Sequence, residues 1–365
     1  MPPIIYFFYF RMLKDNIRYP MVNFFLSINC KLKLAIVCAC LLGIYSVSAQ
    51  TNLFPFQENK KYGYVDKSGK MVISPAFEKG FDFTDGYARV KVGTKLGYID
   101  KSGKIVIAAQ YDKAFDFMDG LAAVKKAEKW YFIDKGGNVK ISPSCEYAYD
   151  FSEGLARLQI GFDKFGFIDK TGKIIIEPKY NGAYDFSEGL ARVQINDKWG
   201  YIDKTGKIII EPLFDGCFDF KEGLANYRIG DEKTGKWGFI DKSGKTVINP
   251  QFDKAFFFSD DRALVRIGDA KTGKFGFIDK TGKMVIIPTF DGAFHFSDGL
   301  ANVGVLQGKT MKWGYVDKSG VIVITRQFDY PADFHNGLAK VRVGSFKTGV
   351  EGYIDKTGKF IAQEK

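Results

Sequence analysis

Short apolar segments alternate with polar turns along the chain from about residue 52 to its end. In one stretch, residues 199–202 read Trp-Gly-Tyr-Ile, a polar turn runs from Asp203 to Gly206, and residues 208–210 are three isoleucines. Aromatic and β-branched residues favour strands, and Asp followed three places later by Gly favours a type I turn. The pattern therefore predicts a β-hairpin.

This block recurs nine times, which indicates a repeat architecture. Lys follows the aspartate in every copy, and successive aspartates are 34 to 38 residues apart. The turn residues of the nine copies are Asp66 and Gly69, Asp100 and Gly103, Asp134 and Gly137, Asp169 and Gly172, Asp203 and Gly206, Asp241 and Gly244, Asp279 and Gly282, Asp317 and Gly320, and Asp355 and Gly358. We interpret them as structural residues of the hairpins.

Two further elements complete each unit. An aromatic segment such as Tyr184-Asp185-Phe186 follows the isoleucine strand, and we expect it to form a compact turn plugged by two rings. Residues 190–195 then alternate apolar and polar side chains, as a half-exposed strand does. Each unit is therefore predicted to be a three-stranded antiparallel meander.

These blocks resemble WG repeats, also called KWG repeats, a family of bacterial β-repeat units named for the Trp-Gly pair. That pair stands at Trp199-Gly200, Trp237-Gly238 and Trp313-Gly314, whereas Trp130 is followed by Tyr131. The other five units replace the tryptophan with Tyr62, Leu96, Phe165, Phe275 or Glu351. The resemblance covers residues 52–365 and implies an all-β repeat protein of the kind found among exported or surface proteins.

The assembly of the units has two solutions. Propellers typically close with four to eight blades, and here nine units begin and end in phase. We therefore expect an open tandem array, a β-solenoid or superhelix held by contacts between neighbouring units. The alternative is a closed ring like a β-propeller.

The first 49 residues have a different pattern. Lys31 and Lys33 precede an apolar run over residues 34–45, and small residues lead up to Ala49. This is typical of a secretory signal peptide cleaved after Ala49, with the translation start open among Met1, Met12 and Met21 and an uncleaved anchor as the alternative. We expect an exported protein, whether periplasmic, cell-surface or secreted, that meets the membrane only through this signal. Residues 50–365 then form a single array of nine repeats.

Composition agrees with a packed, turn-rich β protein. The chain is 46% apolar and 16% aromatic, with 40 glycines. Residues 50–365 contain 48 basic and 41 acidic side chains, a net charge of +7. Only Cys145 and Cys217 remain in this part, at non-equivalent positions of units two repeats apart, so we expect two thiols rather than a disulfide.

The sequence contains little of the chemistry that an enzyme needs. His295 and His335 occupy different positions in their units, and no nucleophile, base or phosphate-binding loop pattern accompanies them. Each turn aspartate stands alone, without the clustered carboxylates that calcium requires. We expect no catalytic residues, no cofactor and no metal.

Binding is the remaining class of function. The leading hypothesis is an exported, non-enzymatic repeat protein that presents an extended surface to a protein or cell-envelope partner. One alternative is a carbohydrate or cell-wall binder that uses the tryptophans, and a second is an envelope-associated enzyme. The candidate ligand-binding residues are Trp130, Trp199, Trp237 and Trp313, although such aromatics also pack between repeats. A lysine-rich edge along the turns favours anionic partners, but nucleic acid is not expected for an exported protein.

Overall fold

The computed structural model describes residues 52–345 and 347–364, so the predicted signal segment lies outside the described residues. Within them, 35 strands and no α-helix form nine antiparallel sheets. The strands are β1 (Phe54–Glu58), β2 (Lys61–Val65), β3 (Met71–Phe77), β4 (Lys79–Thr84), β5 (Tyr87–Val92), β6 (Lys95–Asp100), β7 (Ile105–Tyr111), β8 (Lys113–Ala114), β9 (Leu121–Lys126), β10 (Lys129–Asp134), β11 (Val139–Ile141), β12 (Tyr147–Ser152), β13 (Leu155–Ile160), β14 (Lys164–Asp169), β15 (Ile174–Tyr180), β16 (Gly182–Ala183), β17 (Ala191–Ile195), β18 (Lys198–Ile202), β19 (Ile208–Phe214), β20 (Gly216–Cys217), β21 (Leu224–Ile229), β22 (Lys236–Asp241), β23 (Thr246–Phe252), β24 (Lys254–Ser259), β25 (Arg262–Ile267), β26 (Lys274–Ile278), β27 (Met284–Phe290), β28 (Gly292–Ser297), β29 (Leu300–Gln307), β30 (Thr310–Asp317), β31 (Ile322–Phe328), β32 (Tyr330–Pro331), β33 (Ala339–Val343), β34 (Val350–Ile354) and β35 (Phe360–Glu364).

Each sheet, or blade, follows the chain through four strands that we name a to d. Blade 5, for example, pairs β16, β17, β18 and β19 in that order, and blade 1 has only b, c and d among the described residues. In such a meander the a–b and c–d turns lie at one end of the blade. The b–c turns lie at the other end, together with the connectors that join strand d to strand a of the next blade. We call these two ends the turn face and the connector face.

In blades 2, 4, 7 and 8 the aromatic segment lies within strand a and is not the compact turn expected from the sequence. In blade 2, Gly80 pairs with Val90 and Phe83 with Ala88, with a bulge between the two pairs. In blades 3, 5, 6 and 9 the regular pairing shortens to the two residues before the aromatic segment and one isolated bridge after it, and we call this whole stretch strand a as well. The predicted three-stranded meander is therefore corrected to a four-stranded blade, because the bulge lets an aromatic segment with a tight turn still pair with strand b.

The hairpin turns are formed locally. In blade 5 the amide of Gly206 donates to the carbonyl of Asp203 at 3.0 Å, and Gly206 has a φ of +85°. The Asp203 carboxylate accepts from the amide and the hydroxyl of Thr205 at 2.9 and 2.6 Å, and the hydroxyl is the main reason that its pKa is lowered. All nine turns have the same backbone bond from Gly to Asp.

The glycine of the Trp-Gly pair lets strands c and d approach closely. A Cβ on Gly200 would lie 2.5 Å from the carbonyl oxygen of Ile210 and 2.7 Å from the nitrogen of Pro212. Blade 3 carries Tyr131 at this position, and there strand d is only β11, three residues long. The other d strands have five or seven residues. A glycine at this position therefore allows strand d to pair with strand c over a longer stretch.

Neighbouring blades pack through rings and a repeated tyrosine bond. The hydroxyl of Tyr201 on strand c donates to the carbonyl of Phe218 on strand a of the next blade at 2.7 Å. Tyr64, Tyr98 and Tyr315 make the equivalent bond. The buried core lies in these joints, because each blade buries one aromatic face against the next.

The first and last blades meet in the same way. The hydroxyl of Tyr353 in blade 9 donates to the carbonyl of Pro55 in blade 1 at 2.8 Å, and the amide of Gln57 donates to Glu364 at 2.9 Å. The rings of Phe54 and Tyr353 are 5.4 Å apart in a shared cluster. The described chain is thus a closed nine-bladed β-propeller. The open array preferred from the sequence is replaced by its alternative, since closure buries apolar end surfaces that an array would expose to water.

Two further observations complete the description of the fold. In the described part of the chain, no helix has the length and apolarity to cross a membrane. Cys145 and Cys217 are both free thiols, and burial raises the pKa of Cys217 to about 12.

Candidate binding site on the connector face

The four tryptophans occupy one position, near the start of strand c, in blades 3, 5, 6 and 8. Each contacts the aromatic residue of strand a in its own blade, as Trp237 does with Phe218 at 5.5 Å between ring centroids. Trp130 and Trp237 are only 1% and 6% exposed, whereas Trp199 and Trp313 are half-buried. They do not form one continuous row, and only Trp199 and Trp237 line the same cavity.

That cavity, which we call the basic recess, opens on the connector face across blades 5 to 7. Its volume is about 490 Å³. Four cationic side chains line it, and aromatic rings form its walls: Arg192, Arg228, Lys254 and Arg266 with Trp199, Phe218, Trp237, Phe256 and Phe275. Arg192 is paired with Asp219, so the other three cations define the charge of the recess. The repeat pattern places these residues at equivalent positions of consecutive blades.

Strand pairing positions the three cations. Lys254 on β24 lies directly opposite Arg266 on β25, and Arg228 on β21 lies opposite Gly216 on β20. Gly216 leaves the entrance open, because a Cβ there would lie 3.3 Å from the Nε of Arg228. Like charges directly opposite each other destabilise a sheet. The fold therefore tolerates a cationic pair here that does not help its stability.

The cations lack carboxylate partners among the described residues. Arg228 donates through Nη2 to the carbonyl of Asp215 at 3.0 Å, but its Nε and that of Arg266 are buried without a hydrogen-bond partner. The ammonium of Lys254 lies 5.0 Å from the ring centroid of Trp237. Burial, and then the charges of Arg228 and Arg266, lower the pKa of Lys254. The recess is therefore electrostatically incomplete.

The carboxylates in the recess already have partners. Asp215 accepts from Lys198 Nζ at 2.5 Å and from the amide of Gly230 at 2.8 Å. Asp253 accepts from Lys236 and from the amide of Gly268 in the same way. These pairs link the connectors to the b–c turns. The acidic side chain that remains is Glu232, which is exposed at the rim.

A second recess, which is apolar, lies on the same face in blades 8 and 9. Its volume is about 830 Å³, and apolar side chains that line it are Phe294, Met311, Trp313, Tyr330, Pro331 and Val343. Gly292 and Gly304 pair opposite each other beside it. A Cβ on Gly292 would lie 2.7 Å from the Trp313 ring, so glycine is needed there for the indole to fit.

Sequence reasoning missed a second set of charges, which joins the blades. Arg157 on strand b of blade 4 donates to Asp185 on strand a of blade 5 at 3.0 Å, and Arg192 donates to Asp219 of blade 6 at 2.7 Å. The sequence signal for these ion pairs is a single arginine on strand b. It stands about 27 residues before the aspartate in the middle of the next aromatic segment. These ion pairs are structural joints.

The turn lysines face partners instead of open solvent. Lys204, Lys242 and Lys280 on the c–d turns approach the carboxylates of Glu153, Glu188 and Glu222 on the a–b turns of the preceding blades, at 3.2, 3.1 and 3.1 Å. The lysine-rich edge of the turns is therefore partly neutralised. The cations of the basic recess lie on the opposite side, on the connector face.

The two histidines lie in different surroundings. His295 stacks on Phe257 with ring centroids 3.8 Å apart, and burial lowers its pKa to about 4. His335 lies in the a–b region of blade 9 and is exposed. No three His, Cys, Asp or Glu side chains among the described residues are grouped to hold a metal ion.

Comparison with known proteins agrees with this geometry. The family model described as WG containing repeat matches eight consecutive segments: residues 62–95, 97–130, 132–161, 165–199, 199–232, 237–269, 275–305 and 313–345. Each segment runs from strand c of one blade to strand b of the next. No curated protein matches the sequence.

Several solved structures match the chain at low sequence identity. A crystal structure titled as the eukaryotic initiation factor matches with a TM-score of 0.61 and 13% identity over 87% of this chain and 98% of that one. BamB from Moraxella catarrhalis matches with a TM-score of 0.39 and 11% identity over 80% and 94%. Hsv2 from Kluyveromyces lactis matches with 0.39 and 12% over 64% and 89%.

The family model covers more than half of the chain. Its units are offset from the blades by two strands, so each unit spans the joint between two neighbouring blades. The chain belongs to the family of proteins built from the WG-containing repeat.

Proposed function

We propose that this chain is an exported, non-enzymatic scaffold that binds a protein partner through its connector face. The observation that carries the proposal is the basic recess, where Arg228, Lys254 and Arg266 gather without carboxylate partners among the described residues. These side chains are half-buried, the two guanidinium Nε atoms are fully buried, and charge that is removed from water without a partner costs stability. A ligand that supplies negative charge would account for the presence of these unpaired cations.

A repeat propeller suits this role. Its blades hold the recess residues on paired strands, which position a binding surface more precisely than free loops do. The fold alone does not specify a function, so the proposal rests on the recess. The absence of a catalytic grouping around His295 and His335 supports a binding role over an enzymatic one.

The burial of the tryptophans favours a protein partner over a sugar. Stacking on a sugar ring needs an accessible aromatic face, and Trp130 and Trp237 are only 1% and 6% exposed. The accessible groups of the recess are instead the cations and the edges of partly buried rings.

Site-specific photo-crosslinking in the native cell envelope tests the binding face. Ile229 and Ile267, beside the recess, are 48% and 43% exposed, and Ile208 and Val247, near the turn face, are 37% and 43% exposed. We expect one discrete adduct from positions 229 and 267 and none from positions 208 and 247. The adduct is then identified by mass spectrometry and reconstituted from purified components. Adducts from the turn-face positions alone, or from no position, would overturn the proposal.

Export is tested separately. The signal segment predicts that the mature chain begins at Gln50 and fractionates outside the cytoplasm. N-terminal sequencing of the protein purified from fractionated cells distinguishes this from an uncleaved anchor. A mature chain that keeps its leader and stays in the cytoplasm would contradict the exported part of the proposal and leave the binding part standing.

A further inference from the structure

We infer that the basic recess binds a carboxylate side chain from an acidic peptide segment of the partner, an inference that rests on the function proposed above. The site is Arg228, Lys254 and Arg266, with Phe256 and Trp237 as walls. An aspartate or glutamate on an extended peptide would enter past Gly216.

The first argument is charge. The two guanidinium Nε atoms are buried and have no partner, and the carboxylate whose charge acts on Lys254 is that of Glu232, which is exposed at the rim. Asp215 and Asp253 are already bound by Lys198 and Lys236. An entering anion would therefore accept hydrogen bonds from buried donors that water satisfies poorly.

The second argument concerns the kind of anion. Asp215 and Asp253 remain ionised within the recess, because lysines and backbone amides bind them. Their negative charges oppose a phosphate dianion more strongly than a singly charged carboxylate. Arginine forms paired hydrogen bonds with a carboxylate. The electrostatics of the recess thus favour the carboxylate.

The third argument distinguishes a peptide from an acidic polysaccharide. The apolar recess opens on the same face, and its walls include Met311, Pro331 and Val343. A peptide offers acidic and apolar side chains from one backbone, whereas a polyuronate offers only the former. The indole of Trp237 is covered and that of Trp199 is half-buried, so neither tryptophan offers a sugar ring a fully open face beside the cations.

The chain provides a matched control for net charge. Lys91, Lys113 and Lys125 hold the same three strand positions in blades 2 and 3, and Lys113 pairs opposite Lys125. There Lys125 forms an ion pair with Glu128 at 2.6 Å, and Lys113 is exposed. Lys125 and Lys113 are therefore already neutralised or solvated in blade 3, and the control removes three equivalent charges outside the recess.

The experiment measures binding of fluorescein-labelled peptides to residues 50–365, whose ring is closed by its own residues. The probes are an octapeptide that alternates glutamate and leucine, the same peptide with glutamine in place of glutamate, polygalacturonate and inorganic phosphate. Binding is followed by anisotropy for the peptides and by displacement for the other two. The variants are the triple Arg228→Gln/Lys254→Gln/Arg266→Gln and the control triple Lys91→Gln/Lys113→Gln/Lys125→Gln.

We expect the glutamate peptide to bind in a salt-sensitive manner and the recess triple to bind it about tenfold more weakly or worse. The control triple should change the affinity by less than about twofold, and the glutamine peptide should bind no variant well. Arg228 also bonds to the backbone, so the single variant Lys254→Gln, which removes no hydrogen bond, serves if the triple does not fold. It should weaken peptide binding while its Tm is unchanged or higher, because a like-charge pair is removed.

Several results would overturn the inference. One is an equal loss of peptide affinity in both triple variants, which would indicate a net-charge effect. Another is displacement of the labelled peptide by phosphate or polygalacturonate at lower concentrations than by the unlabelled peptide. If no probe binds while positions 229 and 267 still crosslink to a protein, the carboxylate assignment fails and the proposed function stands. If the crosslinks also fail, both are wrong.

Discussion

Asp150 illustrates how a residue in one blade sets the charge state of a residue in the next. Asp185 and Asp219 on strand a each accept from an arginine on strand b of the preceding blade. For Asp150 that arginine position is taken by Ala123, and its Oδ1 is buried without a partner. Burial, and then the nearby charge of Asp116, raise the pKa of Asp150 to about 7.

Asp150→Asn should stabilise the protein at alkaline pH. The unfolded carboxyl ionises near pH 4 and the folded one near pH 7, so between these values the folded state binds more protons and stability falls as pH rises. The variant removes this loss. Its Tm should exceed that of the wild type at pH 8, and the gain should shrink as the pH falls towards 4, as measured by thermal melts from pH 4 to 8.5.

Asp185→Asn is the matched control at the same strand position. Asp185 is paired with Arg157, so its loss leaves a largely buried guanidinium without a carboxylate and should lower Tm at pH 8. An Asp150→Asn gain that does not vary with pH would refute the ionisation account. The arginine-to-aspartate spacing is visible in the sequence, but the contact depends on how two blades pack.

At the scale of the element, the c–d hairpin depends on one glycine per blade. A Cβ on Gly200 would meet backbone atoms of Ile210 and Pro212 at 2.5 and 2.7 Å, and backbone cannot move aside as a side chain can. The short β11 beside Tyr131 shows the alternative, a strand d that pairs over only three residues.

Gly200→Ala should therefore destabilise the protein by about 3 kcal/mol, measured by urea unfolding. Gly136→Ser is the control, because a Cβ there would meet only the side chains of Asn138 and Asp134, and serine or threonine stands at this turn position in the other eight units. It should change stability by less than about 0.5 kcal/mol. Equal effects of the two substitutions would contradict the close approach of the strands.

At the scale of the whole molecule, closure places the two ends of the described chain together. The joint between blades 9 and 1 repeats the tyrosine bond of the other joints, with Tyr353 donating to Pro55. Because the ring is closed, every blade has two neighbours and none needs a capping surface.

Fluorescence transfer between dyes at positions 58 and 363 should therefore be high in the native state and fall on unfolding. The dyes are attached to cysteines that replace Glu58 and Gln363 in a Cys145→Ser background, since Cys217 is buried. A matched pair at positions 58 and 209, with Ile209 in blade 5, should transfer less. Lower native transfer for the first pair than for the second would indicate an open array.

The sequence by itself was sufficient for the parts of this protein whose partners are close in the chain. The nine hairpins, their aspartate and glycine turns and the repeat family follow from residues that contact each other within about four positions, as Asp203 does with Thr205 and Lys207. In blades 2, 4, 7 and 8 strand a was misread as a compact turn, because its bulged pairing with strand b is obscured by the short, glycine-containing turn between them.

Only the tertiary structure decided the rest. Closure depends on bonds between residues 298 and 307 positions apart, and a sequence in which all units look alike does not say whether the last meets the first. The recess was hidden for the same reason, since Arg228, Lys254 and Arg266 lie on three strands of two blades. Local sequence set the blades, whereas the small rotation from each blade to the next, fixed by side-chain packing, set the ring and its charged recess.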